Sequence, residues 1–197
     1  MPLFDHFAIL APFYDRLISF QSPETLISLA KLPVAGRLLD AGGGTGRVAQ
    51  ALRGQATQII VADASHPMLQ QVAEKDGLES VGAHAEALPF AANSFHRIIM
   101  VDAFHHLLDQ TTAAQELWRT LKPGGIIVIE EPDIRTFIVK LVALAEKVIL
   151  MRSRFLSPTR IVKMFSQQES RTQVVREGFN AWIVIEKSSE AVLGIMR

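Results

Sequence analysis

The stretch that most constrains this chain is Leu38-Leu39-Asp40-Ala41-Gly42-Gly43-Gly44-Thr45-Gly46. A short apolar run ends on an acid, four glycines follow within five positions, and Val48, Ala49 and Leu52 then recur at helical spacing. Strand, turn and helix is the expected order. Glycine serves where backbone takes a positive φ or lies directly against a ligand, because no Cβ stands in the way. A tight structural turn would satisfy the same pattern, so a nucleotide-like ligand needs support from later landmarks.

Spacing narrows which nucleotide could fit. A dinucleotide fingerprint, G-x-G-x-x-G, would put its third glycine where this chain has Arg47. The glycines fall as G-x-G-x-G at Gly42, Gly44 and Gly46, directly after Asp40. A carboxylate there sits poorly beside a pyrophosphate, since both are anions, and suits a ligand carrying an ammonium and a sulfonium. S-adenosylmethionine is such a ligand.

At 197 residues the chain fits one domain with a sizeable core. Lys plus Arg and Asp plus Glu number 20 each, so no net field draws it toward nucleic acid. The absence of cysteine excludes disulfides, thiolate metal sites and thiol nucleophiles, and is compatible with a reducing cytoplasm. Met1-Pro2-Leu3-Phe4-Asp5-His6 lacks the basic n-region and apolar run of a secretory signal. Phe137 to Met151 is interrupted by Lys140, Glu146 and Lys147 and is shorter than the ~20 residues of a membrane span. A cytoplasmic protein with no membrane span is expected.

Taken in order, residues 4–31 read as one or two helices, with Ser22 as N-cap and Pro23 at the first position of the second. Arg37 to Leu39 begins a first strand and Gln58 to Ala62 makes a second, ending on Asp63. An acid there, roughly 20 residues past the glycines, is placed to accept from a ribose diol. It is equally well placed to cap the helix opening at His66-Pro67-Met68, and both roles can hold. Val81 to Ala85 reads as a third strand, Arg97 to Val101 as a fourth, Ala113 to Leu121 as a helix, and Ile126 to Glu130 as a fifth strand after the Lys122-Pro123-Gly124-Gly125 stop. Alternating strands and helices predict a parallel sheet covered on both faces. Gln173 to Arg176 and Ala181 to Ile185 read as a closing hairpin.

With these pieces assembled, the sequence resembles the class I S-adenosylmethionine-dependent methyltransferases, and among them the ubiquinone/menaquinone biosynthesis group with its methyltransferase type 11 domain. The resemblance rests on the glycine turn, Asp63-Ala64-Ser65 with Met68-Leu69, Ala85-Glu86-Ala87-Leu88-Pro89-Phe90 with Ser94-Phe95, His105-His106, and Leu121 to Gly125, in family order over residues 4–131. Phe7, Ala11, Tyr14 and Asp15 resemble a segment that precedes the sheet in that group.

The resemblance implies an α/β, Rossmann-like seven-stranded sheet ordered 3-2-1-4-5-7-6, with strand seven antiparallel and helices on both faces. It implies one domain over 1–197: a helical cover (1–36), a cofactor core (37–134), a helical insertion over the acceptor (135–170) and a hairpin (171–187). In the cofactor site, Asp40, Ala41, Gly42 and Gly44 would line the methionine end and Asp63 would hold the ribose. Ala64 and Met68 would flank adenine, with Ala85 and Leu88 on its other side and His84 at its amino group, Glu86 is a further cofactor-binding candidate, and Val101 would close the site. Two departures stand out. His84 replaces an acid that in many relatives accepts from the adenine amino group, and His96 replaces an acid after Ser-Phe.

Methyl transfer from a sulfonium requires chiefly that the nucleophile be held in line and water excluded. If a proton must be removed, candidates are His105, His106, Asp102 and Tyr14. Helix capping and surface positions for the first three, and a core position for the tyrosine, are the alternatives. No metal site is expected, although Asp102-x-x-His105-His106-x-x-Asp109 has ligand types. The lack of cysteine argues against arsenite methylation. A small, apolar or aromatic acceptor is expected. The competing functions are a non-catalytic cofactor-binding or regulatory protein and, third, a nicotinamide-dependent oxidoreductase. The apolar Phe137 to Met151 helix is expected to line the acceptor pocket, pack in the core or meet its copy in a homodimer.

Overall fold

A computed structural model describes residues 22–133, 154–166 and 169–189. The strands are β1 (Val34–Ala41), β2 (Ala56–Asp63), β3 (Leu78–Gly82), β4 (Phe95–Val101), β5 (Leu121–Pro132), β6 (Ser170–Glu177) and β7 (Asn180–Lys187). They form one seven-stranded sheet ordered β3-β2-β1-β4-β5-β7-β6. The pairs from β3 through β5 are parallel, and β7 is antiparallel to both β5 and β6. This is the expected order. Only Gly178 and Phe179 separate β6 from β7, and Gly178 takes φ +59°, so a tight turn reverses the chain there.

Adjacent residues of the central strands point to opposite faces, and each face has its own core. On one, Leu39, Ile60, Ile98, Met100, Ile127 and Ile129 pack with Ala113 and Leu117 of helix α4 (Gln110–Thr120) and with Ile161 and Phe165 of α5 (Pro158–Phe165). On the other, Leu38, Ile59, Val61, Ile99 and Val128 pack with α1 (Pro23–Leu29), α2 (Arg47–Ala51) and α3 (His66–Val72), through Leu26, Val48, Leu69 and Val72. Each such side chain contributes roughly 1.5–3 kcal/mol on burial, which is why near-continuous apolar runs become parallel strands. Ser22 and Pro23 open α1 as expected. Asp109 caps α4, accepting from the Thr111 and Thr112 amides at 3.0 and 3.1 Å.

Several boundaries differ from the sequence reading. β3 ends at Gly82, because pairing with β2 begins at Leu78, opposite Ile59, right after Gly77 turns the chain at φ +75°. His84 and Ala85 therefore lie in the following loop. β5 begins at Leu121, and Lys122 to Gly125 forms an irregularity inside it where the register with β4 shifts. The expected insertion 135–170 is described at 154–166 and from 169 onward. Ile161 and Phe165 of α5 are core residues, and β6 starts at Ser170. Residues 135–153 of that insertion, 137–151 among them, and the cover before residue 22, including Phe4, Phe7 and Tyr14, lie outside the described residues. No helix among those described is long and apolar enough to cross a membrane.

Candidate functional site

Strand order reverses between β1 and β4, and in open α/β sheets ligands bind outside the carboxyl ends of the strands at such a reversal. The glycine turn lies there. Gly42 takes φ +68°, and a Cβ on it would come within 2.9 Å of the Ala103 Cβ, so the segment after β4 presses directly against the turn. A Cβ on Gly43 would come within 2.6 Å of the Asp40 carboxyl carbon. At Gly44 a Cβ would meet nothing within 4 Å, which leaves open space against the backbone. The Gly44 amide donates to Asp63 Oδ2 at 2.8 Å, and the Ser65 amide donates to Oδ1 at 2.8 Å. The N-cap position of α3 is Ser65, so Asp63 fastens the two turns together and does not cap the helix.

Asp40 is 1% exposed, and neither carboxyl oxygen has a hydrogen-bond partner among the described residues. Burial raises its pKa to about 7. The Arg47 charge opposes this, as does the Ala49 amide, which comes near without closing a hydrogen bond. Buried polar groups are almost always partnered, so an orphaned carboxyl beside an open glycine turn fits a ligand that brings its own donors or positive charge.

The other expected cofactor residues are arranged around this end of the sheet. Ala41 and Val101 are buried at the ends of β1 and β4, Met68 is buried in the first turn of α3, and Ala64 is exposed between Asp63 and Ser65. The loop after β3 starts next to Asp63, whose carbonyl accepts from the Ala83 amide at 2.9 Å. In that loop His84 is exposed, while Ala85 and Leu88 are buried. Glu86 Oε1 accepts from the Leu108 and Asp109 amides, tying the loop to the start of α4. A clamp that the sequence reading missed holds the loop from α4. Arg119 donates to the Leu88 and Phe90 carbonyls, and Glu116 accepts from the Leu88 amide and from Arg119. An i,i+3 acid–base pair was its only sequence signal. His96 lies near the opposite end of the sheet, accepting from the Arg37 amide at 3.2 Å against Gly36.

After β4, Asp102 takes φ +54° and its amide donates to the Glu130 carbonyl. The chain then makes a 3-10 turn, Phe104–His106. His105 is no surface or capping residue: it is 2% exposed, and its Nδ1 lies 2.9 Å from Oε2 of the equally buried Glu131. Glu131 Oε1 also accepts from the Phe104 and His105 amides, at 2.8 and 3.4 Å. Phe155 stacks on the His105 ring at 4.3 Å between centroids, and the His106 ring lies 3.9 Å away. Burial, and secondarily the neighbouring His105, lowers the His106 pKa to about 3. Burial raises Glu131 above the ordinary carboxylate range and raises Glu130, which accepts from Asn180 Nδ2 at 2.6 Å, to about 7. Glu131 was missed because the fifth strand was read as ending one residue earlier. No group of three His, Asp or Glu residues that could hold a metal occurs among the described residues.

Residues 39–129 match the family model described as a methyltransferase domain. That stretch is similar to a methyltransferase domain. Over 158 residues it is 33% identical to a demethylmenaquinone methyltransferase of Clavibacter sepedonicus, covering 78% of this chain and 62% of that protein. Over 115 residues it is 31% identical to a ubiquinone/menaquinone biosynthesis C-methyltransferase of Coxiella burnetii, covering 53% and 46%. The chain thus spans about half to three fifths of the length of these relatives. An S-adenosylmethionine-dependent methyltransferase from Thermotoga maritima shares the fold, with a TM-score of 0.76 at 22% identity, covering 92% of this chain and 98% of that one. S-adenosylmethionine is the cofactor this family implies, and the orphaned Asp40, the open turn at Gly44 and the acid at Asp63 fit it.

Proposed function

We propose that this chain transfers a methyl group from S-adenosylmethionine to a small apolar or aromatic acceptor, releasing S-adenosylhomocysteine. The observation that carries the reading is Asp40, a desolvated carboxyl with no described partner, next to a glycine turn whose amide is already fastened to Asp63. In this reading Asp40, Ala41, Gly42 and Gly44 receive the methionine end. Asp63 keeps acceptor capacity for the ribose hydroxyls, since each carboxylate oxygen offers two lone pairs. Ala64, Met68, Ala85 and Leu88 wall the adenine, with His84 at the rim and Val101 closing the strand-four side. Glu86 acts by holding the loop.

The cofactor supplies an activated methyl group, and the chain's own task is to bind, orient and exclude water. The names of the relatives support a quinol-type acceptor. The reading also places the chain in the cytoplasm, acting on a small molecule and not on nucleic acid, as a monomer or homodimer.

The test is a calorimetric titration with S-adenosylhomocysteine and with NAD, followed by transfer of labelled methyl to demethylmenaquinol and a panel of phenols. Binding of S-adenosylhomocysteine together with labelled product is expected. Binding of NAD alone would overturn the reading. Tight S-adenosylhomocysteine binding without transfer to any acceptor would favour the non-catalytic alternative.

A further inference from the structure

We propose that the end of the sheet opposite the glycine turn carries a second binding site, for a phosphate-type oxyanion, to which the His96 Nε2–H and the Lys122 ammonium both donate. This site is independent of the cofactor reading.

The strands bring its parts together. His96 is the second residue of β4, Arg37 lies in the first half of β1, and Lys122 opens the irregularity in β5. All three lie toward the amino ends of parallel strands, whereas the glycine turn is at a carboxyl end. β1 and β4 pair Leu38 with Arg97, so Arg37 and His96 are neighbours one step nearer that amino end. A Cβ on Gly36 would overlap the His96 ring, so the ring rests on bare backbone and is held from that side. Lys187, at the end of β7, reaches the same region and donates to Asn93 Oδ1 and to the Trp118 and Leu121 carbonyls. Beside it opens a hollow of about 400 Å³ lined by Asn93, Lys122, Pro123 and Ser189. Small-molecule sites are commonly of that size.

Hydrogen bonding leaves a conflict here. His96 Nδ1 accepts from the Arg37 amide at 3.2 Å, so the neutral ring carries its proton on Nε2. That nitrogen lies 3.4 Å from Lys122 Nζ, and an ammonium is a donor only. Two donors therefore face each other. The other tautomer would merely move the conflict to the Arg37 amide, because a neutral imidazole has one lone pair and here meets two donors. An accepting oxygen shared by Nε2–H and the ammonium resolves it. A water oxygen satisfies this geometry, and charge is what selects an anion.

Arg37, Arg97, Lys122 and Lys187 all belong to this end, and none is hydrogen-bonded to a carboxylate among the described residues. Arg37 Nε is buried without a partner while its guanidinium lies over the Phe95 ring. Arg97 donates to the carbonyls of Ala30, Lys31 and His96. An acid at this end, Glu186, is bonded to Lys31 and acts on Arg97 through space. Burial lowers the pKa of Lys187 and of Arg97, and burial followed by the Lys122 and Arg97 charges lowers that of His96. The cluster is short of negative charge, and an oxyanion would offset it.

The test follows the His96 ring of the whole chain by NMR through a pH titration, in chloride and in phosphate at matched ionic strength. In phosphate the His96 pKa should rise by about one unit, the effect of an opposite charge within a few ångströms, and the response should saturate. Lys122→Met should weaken phosphate binding about tenfold, the usual cost of losing a charged donor. By calorimetry, His96→Gln, which retains an N–H donor, should bind phosphate better than His96→Leu. Amide spectra unchanged away from this end show that each variant folds. Inorganic phosphate and glycerol phosphate titrated side by side identify the source. Equal affinity supports the free ion, and tighter binding of the ester supports a phosphorylated small molecule that also occupies the hollow. A His96 titration identical in phosphate and chloride, or phosphate binding undiminished in Lys122→Met, overturns the proposal and leaves water as the shared acceptor.

Discussion

The Gly44 amide donates to Asp63 Oδ2 at 2.8 Å, so the acid at the end of β2 is bonded to the glycine turn after β1 before any ligand arrives. With the ribose contact proposed above, Asp63 would have two tasks that two readouts can separate. Asp63→Ala should weaken S-adenosylhomocysteine binding by roughly 1–3 kcal/mol, the cost of leaving buried hydroxyls without a charged acceptor. It should also free the Gly44 and Ser65 amides and speed their hydrogen exchange. Asp63→Asn, which retains one acceptor oxygen, should fall between. Calorimetry and amide exchange give the two readouts, and unchanged affinity in Asp63→Ala would remove the ribose role.

Asp40 makes a pH-dependent prediction for the unliganded protein. Its pKa rises in the fold from 3.8 to about 7, so between those values the folded state holds the proton that the unfolded chain has released. Stability then falls as pH rises through that window, and the deficit is complete above it. Asp40→Asn should be more stable than the parent at pH 8 by up to a few kcal/mol, at about 1.4 kcal/mol per pKa unit, and close to the parent near pH 4. The unpartnered amide it introduces will reduce the gain. Cofactor affinity should fall at the same time. Thermal melts at the two pH values decide it, and a variant less stable at pH 8 would contradict the orphaned carboxyl.

Gly43→Ala would press a methyl group on the Asp40 carboxyl and on Val61 Cγ1, both within 2.8 Å. Overpacking of this kind typically costs about 1–3 kcal/mol, and here it should also lower cofactor affinity. Gly54 is the matched control. It takes φ +79° with nothing within 4 Å of a Cβ, so Gly54→Ala should cost about 1–2 kcal/mol of backbone strain and leave binding intact. Denaturation and calorimetry on both variants test the contrast.

Arg119→Met should loosen the loop carrying Ala85 and Leu88, because Arg119 donates to the Leu88 and Phe90 carbonyls. Its side chain is 38% exposed, so a stability loss of only about 1 kcal/mol is expected after solvent screening. The sharper readout is faster amide exchange over residues 86–90, where the Leu88 amide is held by Glu116 at 3.0 Å. Unchanged exchange would mean that Glu116 holds the loop unaided.

By itself the sequence determined the elements whose information is local. Apolar runs named the strands of the parallel sheet, the glycine turn specified a backbone that lies bare against its surroundings, and Asp63 was found at the end of β2 by counting. The family motifs carried the strand order and the cofactor. Tertiary structure decided what depends on register and depth. His105 and Glu131 are 26 residues apart and meet because β4 and β5 pair Val101 with Glu130, which sets Glu131 against the 3-10 turn that follows β4 and carries His105. No periodicity encodes that, since His105 follows the strand in an irregular turn. Depth likewise turned Asp40 from a plain acid into a carboxyl that holds its proton to about pH 7, and tertiary contact set Glu86 on the Leu108 and Asp109 amides just before α4. A residue's type sets which bonds it can make, but the water left around it and the partner across the sheet set which ones it does make, and both exist only once the chain has folded.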